Sequence, residues 1–168
     1  MLNYILIYPQ IMSEPPDFDR NMPPAGQIER LSPLVHRLIA PNPGPFTFTG
    51  TCTYVVGDRD VVIIDPGPDD PLHRDLIIKA IGTSRLHSIL VTHTHRDHSP
   101  LAATLKALTG ASVMGCGPHR LARALNEGET NPLDASSDHD SQPDQILQNG
   151  EHVRFGDLDI EVVTTPGH

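Results

Sequence analysis

Three of the ten histidines in this 168-residue chain fall within six residues, in His93-Thr94-His95-Arg96-Asp97-His98. Imidazole nitrogen and carboxylate oxygen are donors that zinc accepts, and the same set serves iron or manganese. The spacing matters as much as the residue types. SILVTH (88–93) reads as a short buried strand. Strand side chains alternate, so His93 and His95 leave the strand end on one side and can converge on one ion. Asp97 continues that phase, and His98 sits where the chain turns into the next helix. These four donors exceed the three protein ligands of an open catalytic ion, which favours two adjacent ions, His93 and His95 on one and Asp97 and His98 on the other. Asp97 is also the candidate catalytic carboxylate. At the chain's own residue frequencies HxHxDH arises by chance about 0.003 times, which weighs against a solvated loop with idle histidines.

The elements that must position these residues follow from pattern. CTYVVG (52–57) and DVVIID (60–65) are β-branched runs around a short charged turn, a hairpin stopped by Asp65-Pro66-Gly67. Asp70 offers an N-cap and Pro71 suits the first helical position. Leu72, Leu76, Ile77, Ala80 and Ile81 form the apolar stripe of that helix, which ends at Gly82. Ser99-Pro100 starts a second helix, closed by Gly110. ASVMG (111–115) reads as a strand, PHRLARALNEG (118–128) as an amphipathic helix, and EHVRFGDLDIEVVTTPGH (151–168) as a closing hairpin. Residues 129–150 read as polar, acidic and loop-like, with Asp134 to Asp144 a solvated loop or a lid over substrate. Strands alternate with helices, so the fold class is α/β.

Nine of the 17 prolines lie between Pro9 and Pro45. Residues 1–33 are accordingly read as a Pro-rich extension, with QIERLSPLVHRLIAPNPGP carrying one strand, and 34–168 as the domain. MLNYILIYPQI lacks the basic start of a signal peptide; it is either a misassigned start or an added strand. The composition, 38% hydrophobic and 20% charged, is that of a globular chain. No apolar run is long enough to span a bilayer, so no membrane partner is expected. A formal charge of −9 argues against a phosphate-binding surface. Two cysteines build no disulfide framework and point to a reducing compartment, here the cytoplasm. Cys52 reads as a small buried strand residue rather than a nucleophile. His36, His73, His87, His119, His139 and His152 fit no ligand spacing and read as surface residues.

HxHxDH after a core strand resembles the metallo-β-lactamase superfamily. PNPGPFTFTGTCTYVVG and VVIIDPGP are similar to the opening of that fold, and Thr164-Thr165-Pro166-Gly167-His168 resembles its TPGH segment. The opening is most like the β-lactamase-like protein 2 and glyoxalase II-like branches. The resemblance implies an αββα sandwich, of which this chain holds the N-terminal half-plus, with two Zn²⁺ in the complete site. It makes His168 the third imidazole on the first ion. It gives Asp65 the task of orienting a ligand histidine, the alternative being a plain strand-ending turn residue. It also places a bridging Asp and a last His beyond His168, so five of the usual seven ligands are here. Ser99-Pro100-Leu101 replaces the family's glycines after HxHxDH, with Ser99 expected to cap the helix instead.

The implied activity is hydrolysis by a metal-activated hydroxide on an ester, thioester or lactam-type substrate. The alternatives are an endoribonuclease of the same fold, or a metal-binding protein without turnover. A small-molecule substrate ranks ahead of RNA, and the oligomeric state is open.

Overall fold

The structure is a computed structural model that describes residues 4–5, 23–119, 126–130 and 136–165. Its elements run β1 (Tyr4–Ile5), β2 (Ile28–Ser32), β3 (Val35–Ile39), β4 (Cys52–Gly57), β5 (Asp60–Ile64), α1 (Pro71–Ile81), β6 (Arg85–Val91), α2 (Leu101–Thr109), β7 (Ser112–Gly115), β8 (Gln145–Ile146), β9 (His152–Phe155) and β10 (Leu158–Val163). The helix expected over 118–128 lies mostly outside the described residues.

The larger sheet has seven strands in the order β2-β3-β4-β5-β6-β7-β8. β2 to β5 pair antiparallel, whereas β5, β6, β7 and β8 run parallel. Helices α1 and α2 make the crossovers from β5 to β6 and from β6 to β7, as a strand-helix-strand alternation requires. The smaller sheet, β1-β10-β9, pairs Tyr4 with Val163 and Ile5 with Val162.

Alternation along the central strands builds both faces of the large sheet. Val55, Ile63, Ile89 and Val91 point to Ile77 and Ile81 of α1 and Leu101 and Leu105 of α2. Their neighbours Val56, Val62, Ile64 and Leu90 point the other way, onto Val153, Phe155, Ile160 and Val162 of the small sheet. Central strands buried on both faces need unbroken apolar runs, which DVVII and SILV supply. Each fully buried aliphatic side chain contributes about 1.5–3 kcal/mol. Among the described residues the layers are therefore helix, sheet, sheet, and no helix is long and apolar enough to cross a membrane.

Helix α1 begins and ends where the residues require. Asp70 accepts from the His73 backbone N–H at 2.8 Å, Pro71 occupies the first turn, and Gly82 closes the helix at φ 59°. Helix α2 departs from expectation. Ser99 does not cap it; its hydroxyl donates to Asp138 Oδ2 at 2.5 Å and lies 3.2 Å from the His95 carbonyl. The Pro-rich region also differs. Where one strand was expected, β2 and β3 form a hairpin across Pro33, with Ile28 opposite Leu38 and Ser32 opposite Val35. Proline in the turn costs no ladder hydrogen bond, so the hairpin tolerates it.

Candidate metal centre

The site lies at the carboxyl end of β6, beside the turn that ends β5. Parallel strands leave their last side chains at one sheet edge, which is where open α/β sheets build their clefts. His93 follows β6 and is 4% exposed. Its ring centroid lies 4.6 Å from that of His95 and 4.1 Å from that of His98. Ligand atoms of Asp65, His93 and His98 lie within 4.8 Å of one another. His93 thus stands beside both His95 and His98, and the Asp97 carboxylate lies 3.3 Å from His98 Nε2.

The loop is held by its backbone. The His98 and Ser99 N–H groups both donate to the His95 carbonyl, at 2.9 and 3.0 Å. Arg96 N–H donates to Ser136 O, and Asp138 N–H to Thr94 O, each at 2.8 Å. The described part of the acidic segment is therefore no free loop. Its residues 136–138 brace the histidines, and the Asp144 carboxylate accepts from Val113 N–H at 2.9 Å and pairs with Lys106.

Asp65 organises two of the rings. Its Oδ1 accepts from Thr92 N–H at 2.8 Å, and its Oδ2 accepts from the Thr92 hydroxyl at 2.7 Å. His98 Nδ1 lies 2.9 Å from the same Oδ2. The Thr92 oxygen is also 3.0 Å from His93 Nδ1. Since the single Thr92 proton goes to the carboxylate, its oxygen accepts from His93 Nδ1–H. A carboxylate accepts in the same way from His98 Nδ1–H. On His93 this leaves Nε2 as the basic nitrogen that a cation needs, while His98 Nε2 is turned toward Asp97. Asp65 thus touches His98 directly and His93 through the Thr92 hydroxyl.

Asp97 stands on the other side of His98. Its Oδ2 is 3.3 Å from His98 Nε2 and accepts from the Thr51 hydroxyl at 3.2 Å. Burial opposes ionisation of Asp97, yet the His98 and Thr51 hydrogen bonds hold it well below the usual carboxylate range. Burial likewise works against charge on His98, and its contacts with Asp65 and Asp97 outweigh that, raising it to about 9. The donor set, imidazole nitrogen with an ionised carboxylate, fits zinc-class ions.

The structure thus gathers His93, His95, Asp97, His98 and Asp65. His168 lies outside the described residues. Among the remaining histidines one assignment is overturned: His73 is 1% exposed and buried, not a surface residue. The buried stripe of α1 is His73, Ile77 and Ile81, whereas Leu72 is 76% exposed. His87 stacks on Phe155, and the His119 and His139 rings lie 4.8 Å apart. Thr51, Thr53 and Thr92 were not anticipated. Hydroxyls at buried positions of apolar strands are the signal that marks them, because such groups must find partners.

Two stacked sheets with helices on one face and a His/Asp cluster at the strand ends define the class. The metallo-β-lactamase superfamily model matches residues 45–168, and the chain belongs to that superfamily. It is 30% identical over 150 residues to an atrochrysone carboxyl ACP thioesterase of a Cryptosporiopsis species, covering 88% of this chain and 41% of that protein. It is 39% identical over 83 residues to a lactamase-like protein of Pestalotiopsis fici, covering 48% of this chain and 26% of that one. The chain spans less than half the length of these curated relatives. Among solved structures, a metallo-β-lactamase motif mutant from Cronobacter sakazakii superposes with TM-score 0.62 at 26% identity, over 84% of this chain and 55% of that one.

Proposed function

We propose that this chain carries the metal-binding part of a hydrolase acting on a thioester. The observation that carries the reading is the convergence of His93, His98 and Asp65 at the end of β6. The 30% identity to an ACP thioesterase over most of the chain supports a thioester ahead of an oxygen ester or lactam. In this reading His93, His95 and His168 hold one ion, and Asp97 and His98 contribute to a second. Zinc is the first choice, with iron or manganese as alternatives.

Bound there, such ions would polarise a carbonyl and bring the pKa of water toward about 7. The chain's own residues prepare the site. Asp65 holds the His98 ring by Nδ1 so that Nε2 faces Asp97, and Thr92 holds the His93 ring. Thr51 restrains Asp97, whose ionised carboxylate is able both to ligate and to accept a proton. No serine or cysteine nucleophile is required. The formal charge of −9 weighs against a polyanionic RNA substrate. Cys52 and Cys116 are both free thiols, in keeping with a cytoplasmic location.

The test is hydrolysis by purified protein supplied with Zn²⁺, offered a pantetheine-type thioester, its oxygen ester, a β-lactam and single-stranded RNA. Thioester cleavage that chelator removes and Zn²⁺ restores is expected. RNA cleavage with the thioester untouched would move the reading to an endoribonuclease. Metal binding without turnover would leave a metal-binding protein.

A further inference from the structure

We propose that His73 is a positioning residue for this centre: through Thr53 it fixes the backbone of Asp65, and through Asp65 the aim of the His98 ring. The proposal rests on the metal-site reading above for its consequence, and on hydrogen-bond geometry for its substance.

His73 is the third residue of α1, and its ring lies under the Asp65-Pro66-Gly67 turn. Its Nε2 is 2.9 Å from the Thr53 hydroxyl, and that hydroxyl donates to the Asp65 carbonyl at 2.7 Å. The carbonyl can only accept, so the one Thr53 proton is committed to it. Thr53 must then accept from His73, which places the His73 proton on Nε2. Its Nδ1 is left as a lone pair, and that atom is buried with no hydrogen-bond partner. A buried lone pair without a partner is tolerated better than a buried N–H without one. Burial also lowers His73 to about 4, so the ring stays neutral and keeps this polarity. The result is a directed relay: His73 Nε2–H to Thr53 O–H to Asp65 C=O.

Asp65 needs such an anchor. Its φ is 50°, in the left-handed region, which aspartate tolerates better than most residues but still at a cost that backbone partners offset. The Leu90 carbonyl holds its N–H at 2.9 Å, and Thr53 holds its C=O. With both backbone groups fixed, the carboxylate reaches Thr92 and His98 together. A second contact runs the same way. Gly67 N–H donates to His98 O at 3.0 Å, and a Cβ on Gly67 would stand 3.3 Å from the His73 ring. His73 thus supports one side of a turn whose other side fixes His98.

A purely space-filling histidine would be replaceable by phenylalanine, and a purely space-filling threonine by valine. The experiment compares Thr53→Val and His73→Phe with the donor-preserving Thr53→Ser and His73→Gln. Histidine ¹H–¹⁵N spectra of the metal-free chain read the His73 tautomer and the hydrogen-bonded His98 Nδ1–H proton, and titration with Zn²⁺ alone reads affinity. Expected are an Nε2–H tautomer for His73 and a downfield His98 proton retained in the Ser and Gln variants. That proton should be lost in the Val and Phe variants, with Zn²⁺ bound about 10–100-fold more weakly. An Nδ1–H tautomer, or a Val variant that keeps both the His98 signal and the affinity, overturns the proposal. Should the Val and Phe variants fail to fold, the wild-type tautomer and the Ser and Gln spectra decide it. Should the wild type bind no Zn²⁺, the metal reading fails while the spectra still judge the relay.

Discussion

Of the His98–Asp65 and His152–Asp159 pairs, the shorter is the less consequential. On the β9–β10 hairpin, His152 Nδ1 lies 2.6 Å from Asp159, with side chains 39% and 45% exposed. At the end of β6, His98 Nδ1 lies 2.9 Å from Asp65, with side chains 22% and 10% exposed. The hairpin pair shares its carboxylate with exposed Arg154 and faces water, where ion pairs are screened and hold nothing else in place. Asp65 is buried, anchored at its own backbone and joined to Thr92 as well as His98. Distance therefore ranks these pairs wrongly. Burial and the anchoring behind the carboxylate rank them correctly, because only a pre-oriented ring holds a fixed donor toward an ion.

The sharpest way to break this comparison is to delete each imidazole. His98→Ala should weaken Zn²⁺ binding by at least about 100-fold, and His152→Ala should leave it within about twofold, as measured by competition with a chromophoric chelator. Equal effects would abolish the distinction. Next come the carboxylates. Asp65→Asn keeps the volume but replaces an acceptor with a donor on one side, so Zn²⁺ affinity should fall about 10–100-fold. Asp159→Asn should change neither affinity nor the unfolding midpoint.

Smaller effects probe what stands behind Asp65. Gly67 has φ 89° and faces the His73 ring, so Gly67→Ala should cost about 1–3 kcal/mol in denaturant unfolding. Comparable in size is a pH slope. His73 is lowered from 6.5 to about 4 by burial, so between those values the unfolded chain binds more protons than the folded one. Stability contributed by this group is complete above pH 6.5 and is lost as pH falls toward 4, by at most about 1.4 kcal/mol per pH unit. His73→Gln should flatten the stability profile by that amount across this window and leave it unchanged above.

The two regions also differ in how readable they were. The His93–His98 loop announced itself, since its residue types and strand-end position are local facts. So did the β4–β5 hairpin and α1, whose Asp70 and Gly82 stand where a helix must begin and end. His73 was misread because counting apolar residues put Leu72 on the buried stripe. Helix α1 instead turns His73 inward, where Thr53 on a distant strand supplies its partner. Ser99 was read as a cap because its place before Pro100 suits one, yet Asp138, 39 positions away, claims its hydroxyl. The β2–β3 hairpin hid behind Pro33, and β1 required pairing with β10 across the whole chain. Contacts local in sequence were legible, and those closed by tertiary packing were not.

Whether the His93–His98 loop, backed by Asp65, holds metal is a matter of stoichiometry and stability. Elemental analysis of protein purified without chelator, with melting curves before and after dialysis against chelator, tests it most directly. Bound zinc-class metal, and a melting temperature that falls on its removal and recovers with Zn²⁺, are predicted. Protein that carries no metal and melts identically with and without chelator would contradict it.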